Sequence, residues 1–338
     1  MTFTHSLPGE EAPIVLQHLS AVEFLSVAYP TLRRHEESAN IVLAHALSRS
    51  PAEYVLTECN FVREDSLRLM TKKAPPIVAE NFWLTVWHTS GTTPVLDGII
   101  ACLSSSTGQY YPLFLWGSTL PSAVVAFLRG CIDPRRVFAI FGPTNLADSF
   151  SHSWTALTGF RIREEPLYDA FFAVCSPQSL LRAQSPKAVT AQRIRKAACR
   201  DVEAVADLCE GFYSSSEYPV DFTQAKHEAE ELVRKGLAWI YETQAGEITT
   251  LCAVTRTSLR VAAITKVYTR PECRKHGFAQ DLVHEVAHRL FECGKQGVVL
   301  YVGKGNKARN VYERVGFKVE DGEGWKEIGF VGTLHGHW

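Results

Sequence analysis

Two periods of apolar residues alternate along this chain, and the switches between them mark its elements. In the second half, residues 193–196 read as a short strand. Val202, Val205, Leu208, Cys209 and Phe212 then share one face of a helix predicted over 201–212, with Asp201 as its cap. A second helix is predicted over 223–235, stopped by Gly236. Residues 237–243 and 247–255 read as a hairpin around Ala245-Gly246, and 261–269 as the next strand. A loop at 274–279 opens a helix to about 293, whose buried stripe is Ala279, Leu282, Val283, Val286 and Leu290. A strand at 298–303, a helix at 307–315 and strands at 317–319 and 326–331 complete the half and close its sheet.

The first half is less regular. Residues 16–27, 38–47 and 122–130 read as helices, and 81–87, 97–104 and 111–115 as strands. An internal echo runs through it. Residues 137–162 give a strand, Gly142, Asn145, a helix and Gly159-Phe160-Arg161-Ile162. Residues 298–319 give a strand, Gly303, Asn306, a helix and Gly316-Phe317-Lys318-Val319. The alignment needs a four-residue insertion in the first copy. Two readings stand: a degenerate repeat, or a chance likeness between two α/β segments. Ser176-Pro177 and Ser185-Pro186 place a boundary in 176–190, dividing an N-terminal α/β domain (1–180) from a C-terminal one (190–338).

Composition narrows the class. A chain of 338 residues with 46% hydrophobic and 21% charged content carries ample core for two domains. A formal net charge of -1 and no basic run give no footprint for nucleic acid. The longest apolar run, near 251–254, is far too short to span a bilayer, so no membrane role is expected. Nine cysteines without a C-x-x-C pair read as reduced thiols in a reducing compartment, and the N-terminal segment has no signal pattern; the expected location is cytoplasmic.

The stretch Val267-Tyr268-Thr269-Arg270-Pro271-Glu272-Cys273-Arg274-Lys275-His276-Gly277-Phe278-Ala279 carries the strongest chemical signal. It joins a strand to the start of an amphipathic helix. Free amides and the helix dipole favour an anion there, Arg274 adds a cation, and Gly277 lets a ligand approach the backbone. Such a loop suits a phosphate or pyrophosphate.

Arg-x-x-Gly-x-Ala after this strand resembles the acyl-CoA loop of the GNAT superfamily of N-acetyltransferases. The segment Asn306-Lys307-Ala308-Arg309-Asn310-Val311-Tyr312-Glu313-Arg314-Val315-Gly316-Phe317 resembles that superfamily's second signature. The resemblance covers about 191–331. It implies an α/β (α+β) fold with a mixed, mostly antiparallel sheet flanked by helices, the first half being a possible degenerate copy. It implies acetyl-CoA, or another short acyl-CoA, as donor and the amine of a small molecule as acceptor, with no metal. The residues 274–279 (Arg274, Lys275, His276, Gly277, Phe278 and Ala279) would grip the pyrophosphate. The backbone of Val267, Tyr268 and Thr269 would meet the pantetheine arm, and a backbone N–H near Val267 would polarise the thioester carbonyl. Tyr312 matches the family's general acid; packing of its helix is the plain alternative. Asn306 fits both a helix cap and a pantetheine neighbour.

The sequence departs from the best-known family pattern at the base. Strand 261–268 contains no carboxylate. Glu217 and Asp221, in the loop expected to shape the acceptor pocket, are the alternatives for holding or deprotonating the amine, unless both are simply solvated. The aromatics Trp239, Tyr241, Tyr218, Phe222 and Trp325 line that pocket or pack in the core. His284-Glu285-Val286-Ala287-His288 also satisfies the H-E-x-x-H zinc pattern, but its histidines lie opposite the buried stripe, which argues for coincidence. A CoA-binding protein without catalysis, and transfer to a protein or peptide amine, are the remaining alternatives. The acceptor's identity and the oligomeric state are not legible.

Overall fold

The computed structural model describes residues 13–51, 76–90, 93–105, 108–182, 194–214, 216, 219–319 and 324–336. The chain divides into two compact units. Unit 1 takes residues 1–35, 41–168 and 325–338, and unit 2 takes 36–40 and 169–324. Neither is one continuous stretch.

In unit 1, β1 (Ile14–His18) is followed by α1 (Ala21–Arg34) and α2 (Asn40–Leu47, whose first residue belongs to unit 2). Then come β2 (Phe82–Ser90), β3 (Thr93–Cys102), β4 (Leu113–Gly117) and α3 (Ser122–Cys131). Next are β5 (Ala139–Pro143), α4 (Thr144–Thr158) and β6 (Arg161–Ile162). The helix expected over 16–27 begins late because Ser20 starts it. Its Oγ accepts the Glu23 amide at 3.2 Å, and the Glu23 carboxylate accepts the Ser20 amide at 3.3 Å. That reciprocal cap fixes the helix start and leaves the residues before it free to pair with β2.

Unit 2 contains β7 (Tyr168–Cys175), β8 (Ile194–Lys196), α5 (Val202–Tyr213), α6 (Phe222–Arg234), β9 (Ala238–Glu242) and β10 (Ile248–Thr257). It continues with β11 (Val261–Thr269), α7 (Phe278–Glu292), β12 (Gly297–Gly303), α8 (Arg309–Val315) and β13 (Lys318–Val319). The last strand of the chain, β14 (Trp325–Val331), belongs to unit 1.

The strands of the two units follow the same plan. In unit 1 the order is β1-β2-β3-β4-β5-β14, every neighbouring pair antiparallel except β4 with β5, and β6 pairs with β14. In unit 2 the order is β8-β9-β10-β11-β12-β7, every pair antiparallel except β11 with β12, and β13 pairs with β7. The echo between 137–162 and 298–319 is therefore β5-α4-β6 set against β12-α8-β13, the same step of the same topology. Of the two readings of that echo, the repeat is the one the fold contains.

Two differences from the sequence-based expectation follow. Strand β14, expected to close the sheet of the second half, pairs instead with β5 from Trp325↔Pro143 to Gly329↔Ala139. Its place in unit 2 is taken by β7, from the first half, which pairs with β12 from Val298↔Cys175 to Gly303↔Ala170. An alternating apolar pattern fixes which face of a strand is buried; it does not name the partner edge.

Unit 1 packs its sheet against α3 and α4 through Phe82, Phe150, Trp154 and their neighbours. The unit 2 sheet is covered on both faces. One core joins it to α7 and α8 through Leu282, Val286, Tyr312 and Val315; the other joins it to α5 and α6 through Val205, Leu208, Ala229 and Leu232. The expected cap Asp201 turns backward instead, accepting the Ala198 amide at 2.7 Å and pairing with Arg195 at 2.6 Å. Helix α6 is capped by Asp221, whose Oδ1 accepts the Gln224 amide at 2.8 Å. Among the described residues no helix is long and apolar enough to cross a membrane.

Candidate active site

Strand β11 is held on one side along its whole length and on the other only at its start. Against β10 the pairing runs from Thr250↔Thr269 to Thr257↔Ala262. Against β12 it covers only Val261↔Gly297, Ala262↔Val298 and Ala263↔Val299. From Ile264 onward the strand's β12-facing edge has no partner strand among the described residues, and the two strands part. Each strand of the β10–β11 pair carries an extra residue close to that point. The register slips past Thr255 on β10 and past Thr265 on β11, and their hydroxyls hydrogen-bond at 3.0 Å. Such bulges re-aim the side chains that follow. Val267 accordingly joins the core under α7, and Tyr268 the core under α5 and α6.

The strand runs into the predicted loop. Residues Pro271–Cys273 make one tight turn, Arg274 is extended, and Lys275 and Gly277 adopt positive φ of 68° and 85°. Lys275 is the one non-glycine residue with positive φ among those described. No side chain caps α7, and the amides of Lys275, His276, Gly277, Phe278 and Ala279 have no acceptor among the described residues. A Cβ added at Gly277 would meet nothing within 4 Å. The 15-residue helix behind the loop points its positive dipole end at these amides. Unpaired donors, a positive helix end and open space suit a phosphate or diphosphate.

The loop side chains do separate jobs. Arg274 donates through Nε to the Thr269 carbonyl at 3.1 Å and lies 5.4 Å from the Tyr268 ring centroid. In this arrangement it secures the strand end while remaining exposed. His276 stacks on Phe278 at 5.5 Å, and Phe278 on the buried Tyr241 at 4.5 Å, so an aromatic column backs the loop. Asn306 is exposed, and its Oδ1 accepts the Ala308 amide at 2.9 Å, a capping contact. Tyr312 lies in the core beneath α8, 8% exposed, with its ring edge-on to Phe317 at 5.9 Å.

The other expected residues do not converge here. Glu217 and Tyr218 lie outside the described residues. Trp325 belongs to unit 1, where it packs on Phe141. His284 contacts the Leu181 carbonyl at 2.8 Å through Nε2, and His288 sits 3.5 Å from Glu292. Among the described residues neither imidazole belongs to a group of three or more ligand atoms close enough to share an ion. A cleft of about 750 Å³ beside α7 has His284, His288 and Trp239 in its lining and none of the loop residues 267–279.

One cluster escaped the sequence reading. Lys266 of β11 pairs with Glu228 of α6 at 2.7 Å, and the Tyr213 hydroxyl of α5 lies 3.4 Å from the same carboxylate oxygen. The Lys266 ammonium also sits 4.9 Å from the Tyr213 ring centroid. Burial pushes the Tyr213 hydroxyl up to about 12. Burial acts to lower the Lys266 pKa, but Tyr213 and Glu228 outweigh it and hold the ammonium above its ordinary value. A search for carboxylates within the strand misses this group, because α6 supplies the carboxylate from the side. The available signal was a lysine on an otherwise apolar and small-residue strand.

A parting parallel pair followed by a loop of unpaired amides sets the class of fold. The family model described as FR47-like protein matches residues 240–326. A GCN5-related N-acetyltransferase from Sphaerobacter thermophilus is similar over 94% of both chains, with 15% identity and a TM-score of 0.54. A Drosophila protein of known structure is similar over 96% of this chain and 100% of its own, with 13% identity and a TM-score of 0.59. No curated protein sequence matches the chain. The chain thus resembles the GNAT superfamily and has its fold along nearly the whole length, a fold that supports acyl transfer in general.

Proposed function

We propose that this protein transfers an acetyl or other short acyl group from acyl-CoA to the amine of a small molecule, using unit 2. The observation that carries this reading is the run of unpaired amides from Lys275 to Ala279 at the start of α7, beside a strand edge that β12 leaves open.

The amides and the Arg274 guanidinium bind the diphosphate, and Gly277 gives it room. The open edge at Val267 and Thr269 offers main-chain groups to an extended pantetheine arm, as an added strand would use them, while those of Tyr268 face β10. An N–H near Val267 faces the thioester oxygen and stabilises the negative charge that develops there, worth about 3 kcal/mol per donor. The acceptor amine attacks the thioester carbon, the C–N bond forms, and the C–S bond breaks. Tyr312 gives its proton to the departing sulfur as the C–S bond breaks, a transfer roughly 1.5 units uphill between the reference phenol and thiol values, and it regains a proton that the nitrogen loses as the amide forms. Asn306 sets the start of α8 and so the placing of Tyr312. Glu217 keeps its sequence-based assignment as the loop carboxylate for the acceptor ammonium.

A thiol-release assay with acetyl-CoA and a panel of amines tests the reading. CoA release that depends on an added amine supports it. Acetyl-CoA binding without release under any amine would place the protein among non-catalytic CoA binders.

A further inference from the structure

The Lys266–Glu228–Tyr213 cluster joins a buried tyrosine to two part-buried charges, an arrangement with no explanation in stability alone. An ion pair taken out of water gains little over apolar residues of the same size, and replacing such pairs is often neutral or stabilising. Here the two charges sit beside the apolar core that joins the strand to the two helices. The cluster also occupies a particular place. Lys266 lies three positions beyond Ala263, the last β11 residue paired with β12, and one position before Val267. It is opposite Ala253, which packs in the core under α5 and α6. The pair therefore sits on the α5–α6 face of the strand segment whose edge is open. Glu228 is only partly buried, its side chain 29% exposed against 12% for Lys266, so the carboxylate is the member of the pair that solvent and solutes reach. Tyr213 is the last residue of α5, directly before the segment that the sequence assigns to the acceptor.

Building on the acyl-transfer reading above, we propose that Glu228 is the proton acceptor for the incoming amine, with Lys266 and Tyr213 as positioning residues that hold its carboxylate at the open segment of β11. Glu228 supplies from a neighbouring helix the carboxylate that the strand itself lacks. The protonated amine gives one proton to the Glu228 carboxylate and attacks as the free base. The nitrogen loses its second proton as the amide forms, the thiolate gains one as CoA leaves, and Glu228 returns its proton to solvent. Per turnover an ammonium and a thioester become an amide, a thiol and one released proton. The groups facing Glu228 from other elements are Lys266 of β11, and Tyr213 and Cys209 of α5. Tyr213 and Cys209 stay neutral at physiological pH, since burial pushes both up to about 12.

The test uses the full chain, acetyl-CoA and three amines of different chemistry: glycine, glucosamine and 2-phenylethylamine. Acetyl-CoA affinity is measured beside thiol release from pH 6 to about 10. Glu228→Gln is expected to lower kcat/KM at neutral pH by about 100-fold or more, with acetyl-CoA affinity unchanged. Its rate should climb tenfold per pH unit toward the amine's own pKa, where the wild-type curve has already levelled. The double variant Glu228→Gln with Lys266→Met removes both charges, so an unpaired lysine cannot explain a loss; it should remain as impaired as the single variant. Recovery of wild-type turnover in the double variant, or an unchanged pH profile in Glu228→Gln, overturns the proposal while leaving the acyl-transfer reading intact. A wild-type chain that releases no CoA with any of the three amines overturns both.

Discussion

Ala263 pairs with Val299, and past that pair β11 and β12 separate. Three consecutive pairs fix the strands at one end, and the bulges at Thr255 and Thr265 redirect β11 beyond them. The unpaired edge that results leads straight into the loop whose amides are also unpaired. The strand edge from Ile264 to Thr269 and the amides of 275–279 thus follow one another along the chain, with the bonded amides of Arg270, Cys273 and Arg274 between them. Unit 1 repeats the parting pair, Leu113↔Ile140 and Phe114↔Phe141, but not the loop. Gly117 ends β4, the Ser118 amide is used on the Asp97 carbonyl at 2.8 Å, and α3 begins at Ser122.

Tyr312 is expected to act on the leaving sulfur, not on cofactor binding. Tyr312→Phe keeps the ring that packs against Phe317 and removes the acidic hydroxyl. The turnover number should fall by about 10- to 100-fold with acetyl-CoA affinity and melting temperature close to wild type. Steady-state kinetics beside calorimetry checks this. Wild-type turnover would return Tyr312 to a packing role.

The exchange of strands between the halves sets where the chain can be cut. A fragment covering 190–338 retains β14, which belongs to unit 1, and lacks β7, the neighbour of both β12 and β13. It is expected to be unfolded or aggregated, because the β12 edge and the core beneath it are left uncovered. A fragment covering 164–324 retains all six strands in the unit 2 order and should show a cooperative melt. Circular dichroism on the two fragments decides it; a well-folded 190–338 fragment would contradict the assignment of β7.

Acid should destabilise unit 1 through His18. This ring is buried, contacts the Thr85 hydroxyl at 2.8 Å, and has its pKa lowered by burial from 6.5 to about 4. The folded state keeps it neutral while the unfolded chain takes up a proton near the ordinary value. The unfolded state therefore binds more protons in this interval, and stability falls as pH drops from about 6.5 to about 4. The loss from this one group approaches about 3 kcal/mol. Denaturant melts at pH 7.5 and at about 4.5 should show it, and His18→Gln should flatten the difference. An equal pH dependence in the variant would rule out His18 as the cause.

Much of unit 2 is legible in the sequence because its signals are local. Gly277 and the strand before it mark the loop, and the α7 stripe of Leu282, Val283 and Val286 is buried as periodicity requires. What the sequence leaves out is long-range. The strand 168–175 is missing from the sequence-based elements, and nothing in it says that it serves β12 across more than 120 residues of chain. The same holds for Trp325, whose ring packs on Phe141 in the other unit from the loop. Glu228 looks like any polar residue of an amphipathic helix until α6 is laid against β11. Asp201 followed the cap rule by type but had a stronger partner in Arg195, two bonds at 2.6 and 3.0 Å that no helix amide offers.

The account rests on the amides of 275–279 holding a diphosphate, and isothermal titration of the full chain with acetyl-CoA tests that most directly. The wild type should bind one equivalent. Gly277→Asp, which places a carboxylate and a Cβ into the open space at a φ of 85°, should abolish the heat while Gly159→Asp, a variant at a comparable left-handed glycine in unit 1, should not. Equal binding by wild type and Gly277→Asp, or no binding by the wild type, would contradict the assignment of the loop.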